Sequence, residues 1–328
     1  MNIYSGKSFY NEVFELKYQD VKTVTDSNIE ENYDYLKIPK TKGYREIYCI
    51  DDSSALYVLQ KNFLVNFLDY IPISENAFGF VKGRSYIDFL NTHVYKNYKN
   101  IYYLKLDLKD FFSSIKSFHI KQILEKHIYT NSSKINKEII DDIVSLTTVD
   151  NKLPQGAVTS PSLSNIVFRF TDIRIARYCE KFGIRYSRYA DDIIFSSDKK
   201  IIHAPFFINS IKKILNESNF HVNNRKTKTS IGSLTLNGFR ITDKINLTRK
   251  KRAKLNTCLY ICNNKKKKYV LTKLNSSGFN FSDFEDLANY LNGTRSFLIM
   301  IARSCNNNNK VIDDLIKEIE LNINKFLQ

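Results

Sequence analysis

The chain has 328 residues, with 50 Lys or Arg against 34 Asp or Glu, a formal charge of +16 and a pI near 9.4. That length excludes a stapled mini-domain and leaves room for two or three subdomains, while the charge is the footprint of a phosphate-backbone binder. The odd set Cys49, Cys179, Cys258, Cys262 and Cys305, without a CxxC pair, argues against a closed disulfide framework; with no signal-like core in Met1 to Phe9 and no long apolar run, the expectation is a cytoplasmic protein with no membrane partner.

Alternating element types predict an α+β fold with helices packed on an antiparallel sheet. Leu56, Leu59, Phe63, Leu64, Phe67 and Leu68 recur at helical spacing and predict an amphipathic helix. Ile101 to Leu108 is β-branched and aromatic, hence a strand. Ser117 is the expected N-cap of a helix through Leu124, and Asn136 to Leu146 is a second helix. After Pro161 an apolar pattern runs to Gly183, which suits a helix closed by glycine.

Two strand-like pieces follow, Ile184 to Tyr189 and Ile193 to Ser197, and the residues between them are Ala190, Asp191 and Asp192. That is a tight hairpin with acids at its tip. A helix is expected over Phe206 to Leu215, then strand-like segments at His221 to Val222 and Leu234 to Ile241. Lys and Asn dominate Arg249 to Asn275, where the run Lys265 to Lys268 reads as a solvated linker. Helical patterns over Phe284 to Ala302 and Val311 to Phe326 complete a basic, mainly helical C-terminal subdomain.

Asp107 closes an apolar strand, where a carboxylate is costly unless paired or metal-bound. If its strand neighbours the hairpin, Asp107 and Asp191 converge, and two close carboxylates call for a cation between them. Oxygen donors select Mg²⁺ or Mn²⁺. Two such ions about 4 Å apart can clamp the attacking and leaving oxygens of an in-line phosphoryl displacement. A lone Asp is ordinarily a turn residue or a cap, but that reading must explain the strand-end acid and the diad together.

In chain order these blocks resemble a reverse transcriptase. Ile38 to Arg45 resembles the fingers segment whose basic residues, here Lys40, Lys42 and Arg45, contact the incoming triphosphate. Ala77 to Ser85 resembles the next fingers block, which implies a nucleic-acid contact for Arg84. Leu153 to Pro161 matches the LPQG block, in which Gln155 and Gly156 line the template and nucleotide pocket. Tyr189 to Asp192 is the YxDD box. Glycine at 156 permits close backbone approach to a base pair, and Pro161 suits a helix start.

The resemblance makes Phe112 the steric gate against a ribose 2′-hydroxyl; spacing alone fits a core aromatic equally well. Val222 to Thr227 resembles the N-x-x-K-T block, whose lysine, Lys226, can protonate the leaving pyrophosphate. Leu234 to Ile241 resembles the primer grip, and Leu291 to Phe297 a thumb helix; Gly238, Lys250, Lys251 and Arg252 are the implied nucleic-acid contacts. Asp107, Leu108, Asp191 and Asp192 are the implied holders of two Mg²⁺ ions, with Mn²⁺ the alternative. The implied architecture is a right-hand polymerase: fingers with an N-terminal extension at 1–100, palm at 101–248 carrying a fingers insertion at about 117–160, thumb at 249–328.

The short length and the wording of the blocks look most like a retron reverse transcriptase. That implies dNTP substrates, an RNA–DNA duplex, a cognate structured RNA serving as template and primer, and a branched RNA–DNA product made in antiphage defence with an accessory effector protein. Two segments depart from the pattern: the NAxxH segment at Phe89 to His93 keeps only its histidine, and the VTG segment at Leu236 to Gly238 only its glycine. His93 alone is more often structural than functional. The alternatives are a non-retron, defence-associated or abortive-infection reverse transcriptase with another priming route, and an idle RNA-binding module that would not need the three acids.

Overall fold

The computed structural model describes residues 6–39, 43–130, 132–304 and 310–327, so the predicted triphosphate contacts Lys40 and Lys42, and Cys305, lie outside the described residues. Strands β1 (Tyr33–Pro39) and β2 (Tyr44–Ile50) form an antiparallel hairpin with Tyr35 opposite Tyr48 and Ile38 opposite Arg45. Strands β3 (Tyr102–Asp107), β4 (Arg185–Tyr189), β5 (Asp192–Ser197) and β6 (Lys228–Ile231) share one sheet in the order β4-β5-β3-β6. Three short strands, β7 (Leu234–Leu236), β8 (Phe239–Ile241) and β9 (Ile245–Leu247), make an antiparallel meander.

The chain forms two compact units. The first comprises Met1–Arg84, Lys105–Phe195 and Ala204–Lys228; the second comprises Ser85–Leu104, Ser196–His203 and Thr229–Gln328.

In the first unit, Ser54 caps the helix Ala55–Asn66 by accepting from the N–H of Tyr57 at 3.1 Å, which satisfies an otherwise unpaired donor of the first turn. The predicted helix stops short of Leu68, because Phe67 leaves helical geometry at φ −135° and a single tighter turn, Leu68–Tyr70, follows. That bend keeps Phe67 stacked on Phe63, with ring centroids 5.3 Å apart, in a cluster with Phe9 and Phe14. Burying each such ring contributes roughly 1.5–3 kcal/mol. Gln60 on the same helix is 1 % exposed and fully paired: its amide donates to Tyr33 and to the carbonyl of Leu146, and its oxygen accepts from the N–H of Val158.

The expected helices stand at Ser117–Leu124, Ser133–Thr147, Ser160–Glu180 and Pro205–Glu217. Ser117 is not the cap of its helix: Lys116 holds that position, and the Ser117 hydroxyl donates to the Asn151 side chain instead. Pro161 lies in the first turn of Ser160–Glu180. Beyond its end Gly183 takes φ +67°, and the N–H of Ile184 returns to the carbonyl of Cys179 at 3.0 Å, the left-handed closure that glycine permits. The segment at His221 to Val222 is not a strand; it contributes one bridge, Val222 to Leu108.

In the second unit, Ser85 and Asp88 form a reciprocal capping box on the helix Tyr86–Asn91. His93 is fully buried with Nδ1 2.6 Å from the Ser196 hydroxyl, so it is a satisfied structural histidine. Asn237 and Gly238, both at positive φ, turn β7 into β8, as an Asn-Gly pair does. Of the run Lys265 to Lys268, all exposed, Lys265 and Lys266 form a short link between the helices Arg249–Asn264 and Lys267–Ser276, whereas Lys267 and Lys268 open the second helix. The helices Phe284–Ser304 and Lys310–Leu327 follow. Among the described residues no helix is long and apolar enough to cross a membrane.

Candidate active site

β3 is apolar and buried from Tyr103 onward, yet it carries Lys105 and Asp107 on one side, since residues two apart share a strand face. Its neighbour β5 begins at Asp192, and β4 ends at Tyr189, so Ala190 and Asp191 alone make the turn. Ala190 takes φ +53°, a left-handed conformation that suits the twist of a two-residue hairpin. The N–H of Leu108 donates to the carbonyl of Asp191 at 2.9 Å, and the N–H of Asn223 to that of Asp107 at 2.7 Å. The predicted convergence of Asp107 with the Asp191–Asp192 tip is therefore present.

Two ammonium groups partner these acids. Lys105 Nζ lies 2.6 Å from Asp192 Oδ1 and 3.4 Å from Asp107 Oδ2, and Lys226 Nζ lies 3.1 Å from Asp107 Oδ1. Burial, then the negative charge of Asp192 and more weakly that of Asp107, push the Asp191 carboxyl above its ordinary range. Among the described residues no three His, Cys, Asp or Glu side chains stand as a ready-made metal cage. Leu108 is buried, with its N–H held by Asp191.

Phe111 is the core ring, 5.8 Å from both Phe168 and Phe220, whereas Phe112 is only half-buried and lies 5.9 Å from Phe80.

The LPQG block lies against β2: the carbonyl of Gln155 accepts from the N–H of Tyr48 at 2.9 Å. Gly156 sits at φ +121°, and a Cβ there would meet the Tyr48 carbonyl oxygen at 2.4 Å. The close approach that this glycine permits is thus to the protein's own backbone. Arg45 on β2 is exposed. Arg84 spends its guanidinium on the carbonyls of Glu75 and Ala77, each at 2.6 Å, closing its own loop.

Among the residues predicted in the second unit, a Cβ at Gly238 would meet Lys251 Cδ at 2.9 Å. Lys251 Nζ lies 3.3 Å from the centre of the Phe297 ring, and burial holds its ammonium below the ordinary lysine range. Lys250 and Arg252 are exposed.

Three features escaped the sequence reading. Lys105 could have been found, because an alternating strand that places an acid inward at 107 places 105 beside it. Arg188, fully buried, donates to Asp172, Asn165 and the carbonyl of Ala190, and its guanidinium lies 4.4 Å from the Phe168 ring centre. Phe80 lies inside the fingers block Ala77 to Ser85, but no local feature singles it out there.

Residues 38–254 match the family model described as reverse transcriptase (RNA-dependent DNA polymerase). The chain is 30 % identical over 220 residues to the retron Ec73 reverse transcriptase of Escherichia coli, covering 64 % of this chain and 68 % of that one. It is 32 % identical over 188 residues to the retron Ec86 reverse transcriptase of the same species, covering 57 % of this chain and about half, 54 %, of the relative. A solved telomerase from Candida albicans, in complex with a telomeric RNA fragment, aligns with 91 % of this chain and 65 % of its own at 13 % identity and a TM-score of 0.47, too loose a likeness to bear on function.

Proposed function

Because the chain belongs to the reverse transcriptase family of RNA-directed DNA polymerases, in its retron branch, we propose that it copies a cognate structured RNA into DNA from dNTPs, with Asp107, Asp191 and Asp192 at the reaction centre. The observation that carries this reading is the meeting of β3 with the hairpin turn, in which Leu108 N–H bonds the Asp191 carbonyl and the Asp191 carboxyl feels the charges of Asp192 and Asp107. A raised Asp191 carboxyl and two lysines drawn onto its neighbours mark a site that calls for positive charge, and its hard oxygen donors suit Mg²⁺ or Mn²⁺. Asp107, Asp191, Asp192 and the backbone of Leu108 would hold the ions, which supply charge to the attacking primer oxygen and to the leaving pyrophosphate.

The chain's own residues account for the remaining steps. Phe112, half-buried and packed against Phe80 and Phe111, serves as the wall against a ribose 2′-hydroxyl. Lys226, within reach of Asp107, is positioned to release a proton to the departing pyrophosphate. Lys40, Lys42 and Arg45 grip the triphosphate, and Gln155 and Gly156 shape the template and nucleotide pocket. Of the implied nucleic-acid contacts Arg84, Gly238, Lys250, Lys251 and Arg252, the exposed Lys250 and Arg252 favour phosphates, whereas Arg84 closes its own loop on the carbonyls of Glu75 and Ala77 and Lys251 packs on the Phe297 ring. On this reading the fingers with an N-terminal extension take 1–100, the palm, carrying a fingers insertion at about 117–160, takes 101–248, and the thumb takes 249–328.

The likeness to retron enzymes extends the proposal to the product: priming from an internal 2′-hydroxyl of the RNA, a branched RNA–DNA molecule, and cytoplasmic action with an accessory effector in antiphage defence. The test is to express the chain with the RNA encoded beside its gene and isolate the DNA made. RNase treatment should leave a ribonucleotide remnant that a debranching enzyme removes. A free or protein-linked DNA 5′ end would reject the retron product and leave polymerisation standing.

A further inference from the structure

Phe80 combines two features that rarely coincide in a large apolar residue: a left-handed backbone, φ +60°, and a side chain 48 % exposed. Neither is favourable in isolation, so the surrounding structure must impose both. The imposition is visible. A Cβ at Gly79 would lie 2.6 Å from the N atom of Ala190, so only glycine lets this loop press against the acidic turn. Asn165 donates to the carbonyl of Gly79 at 2.8 Å, Phe78 N–H donates to the carbonyl of Arg188 at 2.8 Å, and Arg188 N–H donates to that of Asn76 at 2.8 Å. Arg84 closes the loop from its far side.

The result of this bracing is the position of one ring. The Phe80 centroid is 5.9 Å from Phe112 and 6.4 Å from Tyr189, while the body of the ring faces outward instead of into the core. Phe112 is only partly buried, and its ring meets two others, the buried Phe111 at 5.5 Å and the exposed Phe80 at 5.9 Å. A gate ring free to swing would yield to a 2′-hydroxyl instead of excluding it, so its exposed neighbour matters.

We propose that Phe80 is a specificity-determining positioning residue, which holds Phe112 in place so that the pocket accepts deoxynucleotides and rejects ribonucleotides. This rests on the reading of Phe112 as the sugar gate. The strained loop is then kept because it delivers Phe80 to Phe112 from a segment anchored on the acidic turn itself.

The test measures kcat/KM for a ribonucleotide and for the matching deoxynucleotide in single-nucleotide primer extension. Phe112→Ala should raise the ribonucleotide to deoxynucleotide ratio. Phe80→Ala should raise it on the order of tenfold, Phe80→Tyr should restore it, and the double variant should rise no further than Phe112→Ala alone, since one residue acts through the other. Phe80→Leu, expected to shift the ratio in the same direction, supplies the measurement if Phe80→Ala folds poorly. A ratio unchanged in both Phe80→Ala and Phe80→Leu, with Phe112→Ala raised, overturns the inference and leaves the gate intact. Additive effects overturn the positioning role. If neither position shifts the ratio, the gate reading itself falls and takes this inference with it.

Discussion

Lys105 and Asp192 face each other across adjacent strands, with Nζ 2.6 Å from Oδ1 and side chains only 7 % and 16 % exposed. The same ammonium reaches Asp107 at 3.4 Å, so one lysine serves carboxylates from two strands. Removing one partner of so enclosed a pair leaves the other charge without compensation, which costs more than the pair itself contributes. Lys105→Met should therefore destabilise the fold by about 3 kcal/mol. Lys105→Met with Asp192→Asn should recover part of that loss, because the orphaned charge is gone. Urea unfolding of both variants checks this; equal losses in the single and double variants would contradict it.

Asp107→Asn and Asp191→Asn each keep the shape of the side chain and remove its charge. Both variants should fold and both should lose primer extension on RNA, since a neutral amide cannot supply the charge that the cations require. Circular dichroism together with extension assays decides the matter. Near-normal synthesis by either folded variant would remove that carboxylate from the reaction centre.

The acidic turn was legible in the sequence because its signals are local: an apolar strand ending in an acid, and two strand-like pieces too close to be joined by anything but a hairpin. Helices with strong periodicity, such as Pro205–Glu217, were legible for the same reason. What stayed hidden depends on partners distant in sequence. β9 is three residues long and takes shape only by pairing with β8. The helix Arg249–Asn264 is masked by its lysines, although Leu255, Cys258, Leu259 and Cys262 form a buried stripe at helical spacing. Ser117 has the chemistry of a cap but found Asn151, thirty-four positions away. Arg188 in a strand gives no sign of the buried Asp172 that awaits it on a neighbouring helix.

His119 links stability to pH. Its Nδ1 accepts the N–H of Lys116 at 3.0 Å at the start of a helix, a bond that a protonated ring cannot make. Burial, and then the positive charge of Lys116, hold its pKa below the ordinary imidazole range. The unfolded chain therefore takes the proton more readily than the folded one, and stability must fall as pH drops through about 6.5. His119→Asn retains an acceptor and does not titrate. Between about pH 7.5 and 5.5, the urea midpoint of the unsubstituted protein should fall further than that of the variant. Parallel curves would show that other groups carry the pH dependence.

Gly156 joins the LPQG block to the hairpin that carries Arg45. Its φ of +121° is strained for any residue with a side chain, and the Cβ of alanine would sit 2.4 Å from the Tyr48 carbonyl oxygen, a backbone atom that no rotamer change can move. Relief requires β2 to withdraw from Gln155, which breaks the 2.9 Å bond from Tyr48 N–H to the Gln155 carbonyl. Gly156→Ala should cost on the order of 1–3 kcal/mol in unfolding experiments. If Arg45 grips the triphosphate, its retreat with β2 should also raise KM for the incoming deoxynucleotide more than it lowers kcat, because the interaction lost is made in the ground state and the transition state alike. Arg45→Ala should show the same KM-weighted loss without the loss of stability, which separates the missing grip from the damaged backbone. A Gly156→Ala enzyme with unaltered KM would mean that the hairpin's position does not govern nucleotide binding.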